Sequence, residues 1–379
     1  VKIFNRFYFT DTDDYSFTMT LLRDGKPCQQ KTFRLDLEPQ TGTEVDLFAL
    51  PETAGEYFVN LSAIDRSGHE VAKGQIYLGG KYEVAVANAD GPALKIDESD
   101  SDLTVSSSRL AFSIDKTTGN VTSYRVRNVE YIKDGFGFRP SFWRAPTDND
   151  YGCAMPARLA VWKSDPAVKS VNAEVTGNEA SVKVVYDLEA GNSFSMDYTI
   201  LASGALKVLC RFGACPEGTP GLPRIGLRFR IPAEYSNAGW YGRGPEENYV
   251  DRKAGTLIGC YSADVRDLYY PYVRPQENGH HTDVRRLSLT GKKHGLTITS
   301  DVPFEFNALR NSIEDFDTEG FVRPQSHVCD IVPRDYVEVC LDHLHRGVGG
   351  YDSWGSEPEP YHCVPSDRDY EFSFLIQVR

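Results

Sequence analysis

The stretch Leu206-Lys207-Val208-Leu209-Cys210-Arg211-Phe212 places an apolar side chain at every second position. Successive side chains of a β-strand point to opposite faces of a sheet, so this period predicts a strand with one buried face. Comparable runs recur along the chain, separated by turn formers such as Gly119-Asn120 and Gly177-Asn178. The pattern predicts an all-β chain. The other runs are residues 57–64, 181–186, 227–231, 337–341 and 370–378.

Helices have little support in the sequence. No segment carries a sustained apolar stripe of helical period, and 21 Pro with 32 Gly would interrupt most attempts at one. Short helical turns are expected only near Ser262–Leu268 and around Met155–Ala160. No internal repeat is apparent, which disfavours a propeller or a solenoid.

Chain length and turn formers predict two domains. Residues 1–87 have the size of an immunoglobulin-like β-sandwich of about seven short strands. Residues 88–97 are predicted to be a linker, because Asn88-Ala89-Asp90-Gly91-Pro92 and the acidic run that starts at Asp97 interrupt the strand pattern. Residues 98–379 then form one large antiparallel β domain.

Charge and composition exclude several classes of partner. With 54 Asp and Glu against 41 Lys and Arg, the net charge of −13 argues against nucleic acid and anionic membranes, which need a basic face. The eight cysteines lack the spacing of a zinc site, and in a chain of 379 residues buried free thiols are favoured over disulfides. No apolar run approaches the roughly 18 residues of a membrane span. The chain is expected to be a soluble piece of something longer, from either the periplasm or the cytoplasm.

The run Phe142-Trp143-Arg144-Ala145-Pro146-Thr147-Asp148-Asn149-Asp150 combines residue types with demanding geometry. Pro146 biases Ala145 to an extended conformation, while Asp and Asn side chains can bond to nearby backbone N–H groups. A rigid, internally satisfied turn is therefore the favoured interpretation. The alternative is that Asp148 and Asp150 form a carboxylate pair for glycoside chemistry, but Arg144 beside them would keep both ionised.

A second charged loop spans residues 242–252 and ends in Glu247-Asn248-Tyr249-Val250-Asp251-Arg252. Alternating charges in a loop that contains Gly and Pro are more typical of an ion network than of an active site. Arg252 can clamp a carboxylate through two parallel N–H bonds, and Glu247 or Asp251 is its expected partner.

The histidines are of interest because they titrate near neutral pH. His343 and His345, two residues apart on a predicted strand, would share one face and could line a sugar cleft. A mutarotase needs a His acid close to a carboxylate base, and Glu277, near His280 and His281, is a candidate for that base. An ordinary polar role in a sheet or loop is favoured for all four histidines.

The loop Arg346–Gly355 is the strongest functional candidate. Gly347, Gly349 and Gly350 give it an unusual backbone, and the exposed ring of Trp354 at its end is costly unless something covers it. Sugars stack their apolar C–H face on such rings, and nearby Asp352 and Ser353 could bond to hydroxyl groups. A local turn role is favoured for Asp352 and Ser353, and the alternative for Trp354 is to plug a domain interface.

Four segments resemble, in order, motifs of the C-terminal region of the large β-galactosidases of glycoside hydrolase family 2. The segments are Phe142–Asp150, Gly244–Arg252, Pro271–Gly279 and Gly349–Trp354. The resemblance implies an immunoglobulin-like sandwich followed by a β super-sandwich like that of galactose mutarotase. It also implies a retaining enzyme whose two catalytic glutamates lie on an upstream (β/α)8 barrel, with magnesium and sodium sites in or near that barrel.

The resemblance gives each motif residue an expected role. Trp354, Asp352 and Ser353 are expected to contact substrate, with Trp354 projecting into the active site of the barrel. Neither a catalytic residue nor a metal ligand is expected within the chain. The residues expected to build the structural motif are Trp143, Arg144, Asp148, Asn149, Asp150, Glu247, Asn248, Asp251 and Arg252.

The expected partners are a β-galactoside or oligosaccharide, upstream catalytic domains of the same chain and a further copy of the chain in a homo-oligomer. Two other functions stay open at this point. One is a free-standing aldose mutarotase, and the other is a carbohydrate-binding module without turnover, because a shared fold does not fix function.

Overall fold

β-Strands dominate the computed structural model, which describes residues 1–49, 51, 53–317, 327–352 and 354–379. Neighbouring strands pair in antiparallel fashion, as β13 does with β14 and β17 does with β22. The strands, in chain order, are β1 Lys2–Phe4, β2 Ser16–Arg23, β3 Lys26–Phe33, β4 Gly42–Glu44, β5 Tyr57–Ile64, β6 Glu70–Gly79, β7 Lys95–Glu98, β8 Asp102–Ser106, β9 Leu110–Asp115, β10 Val121–Val126, β11 Val129–Glu130, β12 Arg139–Ser141, β13 Ala167–Thr176, β14 Glu179–Asp187, β15 Ser193–Leu201, β16 Leu206–Phe212, β17 Arg224–Pro232, β18 Asn237–Gly244, β19 Leu257–Asp264, β20 His281–Thr290, β21 Gly295–Leu309, β22 Tyr336–His345 and β23 Tyr370–Val378.

The all-β prediction is confirmed, and the period of two accounts for it. The predicted runs 57–64, 206–212 and 370–378 coincide with β5, β16 and β23. The remaining three runs lie within β14, β17 and β22. In β14 every second side chain, from Ala180 to Tyr186, is buried.

Helices are short, and two of them were predicted. The helix α2, Met155–Arg158, and the 3-10 helix Val265–Leu268 lie within the expected turns. The helices α1, Asp148–Gly152, and α3, Ile313–Phe316, were not expected, since neither has an apolar stripe. Each begins at a capping box, Thr147 with Asp150 and Ser312 with Asp315, so side-chain caps rather than periodicity define them. No helix in the described part of the chain is long and apolar enough to cross a membrane.

The chain divides into two compact units, of which the first comprises residues 1–83 with residues 257–260. It contains a four-stranded sheet of order β3-β2-β5-β6 and a two-stranded sheet of β1 with β4. Met19, Leu21, Tyr57 and Val59 form the centre of its core. Six strands lie within residues 2–79 in the described part of the chain, where about seven were predicted for the immunoglobulin-like sandwich.

The second unit comprises residues 84–256 and 261–379. A five-stranded sheet of order β11-β10-β9-β8-β7 and a twelve-stranded sheet, which contains β17, β21 and β22 side by side with other strands, share one large apolar core. The predicted linker 88–97 extends too far, because Lys95–Glu98 forms β7 and pairs with β8. Ile96, which packs against the core, holds this otherwise polar strand in place.

All eight cysteines are free thiols in the structure. Cys210 and Cys340 are buried, and burial raises the pKa of both thiols because it penalises the thiolate. These two cysteines behave as small apolar core residues.

Candidate functional site

The turn after β12 is built around a buried ion pair between Arg144 and Asp150. The guanidinium of Arg144 donates from Nη2 to Oδ1 of Asp150 at 2.7 Å and from Nε to Oδ2 at 3.1 Å. Asp150 also accepts the backbone N–H of Thr147 at 2.9 Å, and the hydroxyl of Thr147 accepts the N–H of Asp150 at 3.2 Å. The carboxylate of Asp150 is therefore committed to holding the turn.

The other residues of this motif have separate partners. Asp148 accepts from Arg274 Nε at 3.2 Å, so the two aspartates of the motif pair with different arginines. The indole Nε1 of Trp143 donates a buried hydrogen bond to the carboxylate of Asp317 at 2.7 Å. The backbone carbonyl of Asn149 accepts the N–H of Cys153 at 2.9 Å and ends α1. The structure thus uses Trp143 and Asp148 to tie the turn to neighbouring segments.

In the second charged loop, Glu247 binds Arg252, whereas Asp251 binds the backbone of the glycine-rich loop. Glu247 is the partner of the Arg252 guanidinium, and Tyr272 bonds to both side chains. The other carboxylate oxygen of Glu247 accepts the N–H of Gly279 at 2.7 Å. Asp251 is not part of this pair and instead accepts backbone N–H groups of the glycine-rich loop.

Asn248 is buried and joins this loop to β20. Its side-chain oxygen accepts both the N–H and the hydroxyl of Thr282, at 2.9 and 2.6 Å. Its side-chain nitrogen donates to the carbonyl of Glu246 at 3.0 Å. Both the oxygen and the nitrogen of this amide therefore hold neighbouring segments in place.

The base of the loop that carries Trp354 is fixed by the two preceding motifs. Arg144 donates to the carbonyl of Arg346 and, at 3.0 Å, to that of Gly347. Asp251 accepts the N–H groups of Val348 at 3.2 Å and Gly349 at 2.8 Å. A Cβ on residue 347 would lie within van der Waals overlap of the Asp251 carboxylate, so glycine is required for this approach.

The tip of the loop is closed by Asp352 and Gly355. Oδ1 of Asp352 accepts the N–H groups of Trp354 at 2.9 Å and Ser356 at 3.3 Å. The hydrogen bond from Trp354 lowers the pKa of the Asp352 carboxyl group, so this residue stays ionised in its turn. Gly355 has a φ of +106° and lies against Gly152, where a Cβ on Gly152 would come within 2.6 Å of the Gly355 Cα. Ser353 lies outside the described residues.

Two aromatic side chains project from this anchored loop. The exposed fraction is 88% for Trp354 and 86% for Tyr351. Large aromatic rings on a loop with a fixed base are typical of contact surfaces for a ligand or another protein domain. The sequence therefore identified the loop, but the contacts that hold its base could not be read from residue spacing.

The histidines do not share one environment, contrary to the expectation for His343 and His345. In the pairing of β17 with β22, Ile225 lies opposite Leu344 and Gly226 lies opposite Asp342, so His343 is bulged out of register. His343 stacks on Phe372 at 5.1 Å between ring centroids. His345 is buried against His280 at 4.4 Å.

The shift in register brings Asp342 and His345 into one buried polar cluster that the sequence did not reveal. Arg224 binds Asp342 through Nε at 2.9 Å and through Nη2, and it also donates to Asn307 Oδ1 at 2.8 Å. Asn307 in turn donates to Glu277 at 2.8 Å. The available signal was a charged residue near an end of each of two predicted strands, Arg224 before the run 227–231 and Asp342 directly after the run 337–341.

His280 links this cluster to Glu305. The side-chain nitrogen of Asn307 donates to Glu277 and to a carbonyl, so its oxygen must accept from His280 Nδ1 at 2.8 Å. His280 Nε2 lies 2.8 Å from Glu305. Although burial opposes the charged imidazolium, Glu305 raises the pKa of His280, whereas burial raises the pKa of Glu305 itself.

Glu277 and His345 are close, but they do not form the acid and base of a mutarotase. Glu277 Oε1 lies 3.9 Å from His345 Nε2. Burial holds the pKa of His345 well below its usual value, and its Nδ1 donates to the carbonyl of Arg346 at 2.8 Å. His345 therefore presents a lone pair at Nε2 and has no proton there to donate.

One group of the described residues could bring metal ligands together, namely Glu277, His280 and His345, whose ligand atoms lie within 4.8 Å of one another. Both ring nitrogens of His280 already have partners. Arg224 Nη1 lies 3.7 Å from Glu277 Oε2 and would repel a bound cation. The cluster therefore fits magnesium or sodium poorly.

His281 gives a prediction on pH dependence. Its ring is buried between Trp240 and Phe306, with centroids 4.7 and 5.0 Å away, and burial lowers its pKa to about 4. The unfolded chain takes up a proton near pH 6.5, so the stability from neutral His281 is complete above that pH and declines as the pH falls toward about 4. We expect this residue to contribute a slope of up to about 1.4 kcal/mol per pH unit.

The measurement is urea unfolding at several pH values in this window for the unmodified chain and for His281→Phe, which retains the aromatic packing. The variant should show a shallower dependence of the unfolding free energy on pH. Equal slopes for the two proteins would contradict the assignment.

A cavity of about 180 Å³, here called the motif cavity, lies where four charged or glycine-rich segments meet. Its walls are residues 147–149, Tyr249 with Arg252, Tyr272 with Gln276 and Glu277, and Val348. The four segments were identified separately in the sequence, and the fold places all of them around one space. The residue spacing alone gave no indication of this cavity.

Two family profiles match the chain. One, described as "Beta galactosidase small chain", covers residues 106–376, and the other, described as "Beta-galactosidase, domain 4", covers residues 1–79. The resemblance found in the sequence motifs is thereby confirmed.

Curated relatives carry the name β-galactosidase. That of Priestia megaterium is 31% identical over 391 residues, which cover 98% of this chain and 37% of the relative. That of Streptococcus thermophilus is 28% identical over 393 residues, which cover 100% of this chain and 37% of the relative. The chain thus spans well under half the length of these relatives.

Among solved structures, a galactose 1-epimerase from Lactobacillus acidophilus NCFM is similar with a TM-score of 0.42 and 9% identity. The match covers 76% of this chain and 99% of the epimerase.

Proposed function

The chain belongs to the β-galactosidase small-chain family, and we propose that it forms the non-catalytic part of a retaining β-galactosidase that hydrolyses terminal β-galactosides. It packs on a catalytic barrel that lies upstream in the same polypeptide and supplies a contact for the sugar or the aglycone. Two findings support this proposal, namely the name β-galactosidase of the relatives and the 37% share of their length that the chain spans. The remaining length of such a protein would contain the catalytic barrel.

The observation that carries the proposal is the exposure of Trp354 on a loop whose base is held by Arg144 and Asp251. Holding a loop in this way reduces the conformational entropy lost when its tip meets a ligand. The flat indole offers a stacking surface for the C–H face of a pyranose. Trp354 is therefore assigned to the wall of the substrate cleft, while Asp352 shapes the turn that presents it.

Catalysis is assigned to the barrel because the acidic residues of this chain's motifs are engaged in other tasks. Asp150 and Glu247 are bound to arginines, and Asp251 accepts N–H groups of the glycine-rich loop, so these three carboxylates are committed to structural contacts. On this proposal the magnesium and sodium ions belong to the barrel as well.

The test is hydrolysis of a chromogenic β-galactoside by the 379-residue chain alone and by the product of the complete gene, read in frame upstream of Val1. We expect turnover by the complete product and none by the chain, because the two glutamates are supplied from outside it. The matched control is the complete product with each barrel glutamate changed to Gln, which should be inactive although it is folded.

Two outcomes contradict the proposal. Turnover by the purified chain at a rate comparable to that of the complete product would place catalysis within these residues. A gene that begins at Val1 with no catalytic partner encoded beside it would remove the barrel from the proposal.

A further inference from the structure

Three consecutive aromatic side chains of the first compact unit are exposed in the loop of residues 5–10, here called the aromatic loop. The exposed fraction is 44% for Phe7, 75% for Tyr8 and 98% for Phe9. Together these rings present on the order of 400 Å² of side-chain surface to water. An apolar patch of this size on a soluble protein is commonly a contact surface, because its burial is favourable.

Two side-chain amides hold the backbone of the aromatic loop. Asn5 is buried, and its Nδ2 donates to the carbonyls of Thr10 at 2.8 Å and Leu37 at 3.0 Å. Its side-chain oxygen accepts the N–H of Phe7 at 2.9 Å, and Gln40 donates to the carbonyl of Phe7 at 3.0 Å. The loop therefore has its shape before any partner binds, which lowers the entropy cost of association.

The three aromatic side chains have different positions in the loop. Phe7 packs on Tyr15, with ring centroids 5.8 Å apart, and so joins the loop to the rest of the unit. Tyr8 and Phe9 lie side by side at 6.3 Å and are far more exposed. The tip that a partner would meet consists of these two rings.

The chemistry of the tip restricts the partner. The side chain of Phe9 has no polar atom, so it cannot bond to the hydroxyl groups of a sugar. Asp11 and Asp13 follow directly and are exposed, and their charges oppose contact with an anionic membrane. A phenyl ring that protrudes from a fixed loop fits an apolar pocket on a protein domain, where such aromatic anchors contribute most of the binding energy.

The family matches indicate which domain would carry that pocket. The profile that covers residues 1–79 is described as domain 4 of β-galactosidase, and the aromatic loop lies near the start of the matched region. A fourth domain follows a third in the polypeptide, and the chain covers only 37% of the curated relatives. A domain that precedes this one is connected covalently close to the loop, which gives it a high effective concentration there.

We propose that the aromatic loop docks Tyr8 and Phe9 into an apolar pocket of the domain that precedes it in the complete polypeptide. The inference rests on the proposed function, which places a catalytic barrel upstream in the same chain. Docking at this loop fixes the orientation of the first compact unit against that upstream domain. The surface is separate from the Trp354 loop, which belongs to the second compact unit.

The experiment is hydroxyl-radical footprinting with mass spectrometry, applied to the 379-residue chain and to the complete gene product. Hydroxyl radicals modify aromatic side chains in proportion to their exposed surface. In the isolated chain Tyr8 and Phe9 should be strongly modified. In the complete product their modification should fall by about 10-fold, because a ring seated in an interface pocket is fully desolvated.

Two substitutions of one residue separate docking of the ring from incidental shielding. In the complete product, Phe9→Asp should raise the modification of Tyr8 to within about 2-fold of its value in the isolated chain, since the pocket would have to desolvate a carboxylate. Phe9→Leu keeps an apolar side chain and should retain the protection. Because Phe9 is almost fully exposed, neither substitution should change the urea midpoint of the isolated chain.

Three results overturn the proposal. One is equal modification of Tyr8 and Phe9 in the complete product and in the isolated chain. Another is protection that Phe9→Asp leaves intact, which would mean that no pocket receives the ring. The third is protection of the isolated chain that disappears on dilution, which would assign the loop to contact with a second copy.

Failure of the docking proposal is distinguishable from failure of the proposed function. The proposed function fails in the hydrolysis assay or in the gene sequence. The docking proposal fails separately when a complete product hydrolyses β-galactosides and still leaves Tyr8 and Phe9 as reactive as they are in the isolated chain.

Discussion

Replacing Arg144 by Ala is expected to lower the free energy of unfolding of the chain by about 3–5 kcal/mol. The substitution leaves the carboxylate of Asp150 buried without its counter-charge, which costs far more than the net value of the ion pair. It also removes the donors to the carbonyls of Arg346 and Gly347. Urea unfolding followed by circular dichroism measures the loss.

The control is Arg266→Ala, which breaks an ion pair with Asp264 on the surface. Since exposed pairs contribute little, we expect a change within about 1 kcal/mol. The double variant Arg144→Ala/Asp150→Ala should lose less than the two single variants combined, because no buried charge is left unpaired. Similar losses for Arg144→Ala and Arg266→Ala would contradict a buried role.

Replacing Trp354 by Ala in the complete gene product is expected to lower kcat/KM for β-galactosides by about 5- to 150-fold, which corresponds to about 1–3 kcal/mol of lost contact. The effect should appear mainly as a higher KM if the ring binds substrate and transition state equally. Steady-state kinetics with several aglycones measures it. Because the side chain is exposed, the stability of the isolated chain should change by less than about 0.5 kcal/mol.

Two variants test whether the aromatic ring itself is responsible. Trp354→Phe should recover much of the lost affinity, since it keeps an aromatic face. Tyr361→Ala removes a similarly exposed aromatic outside the loop and should leave the kinetics unchanged. Unchanged KM and kcat in Trp354→Ala across the substrates would refute a sugar contact, and a loss of assembly with the barrel would support an interface role instead.

Local periodicity predicted six of the strands, and alternate burial is visible in β14, β16 and β23, whereas β22 is buried continuously from Tyr336 to Asp342. It could not predict the pairing of distant segments. Arg144 was expected beside Asp150, but its bonds to Arg346 and Gly347 join positions about two hundred residues apart. The bulge at His343 separates the environments of His343 and His345, which were expected to share one face, since a single extra residue in a strand exchanges its two faces.

The candidate site was predicted in part. The exposure of Trp354 was anticipated from the glycines that precede it in the loop. A turn role was the favoured interpretation for Asp352. Contact of either residue with substrate stays a prediction. The polar cluster of Arg224, Asp342 and Asn307 was not anticipated, because each residue lies on a different strand. Only the packing of β17, β21 and β22 side by side brings them together.

The guanidinium of Arg144 binds the carboxylate of its own turn and the carbonyls at the base of the distant loop at once. For protein engineering this means that the tryptophan loop is not a portable module. A loop grafted from a relative would need the Arg144–Asp150 turn and the Asp251 carboxylate of the donor protein to reproduce its backbone. Libraries that diversify residues 346–355 should therefore hold these three residues fixed and vary the exposed tip alone.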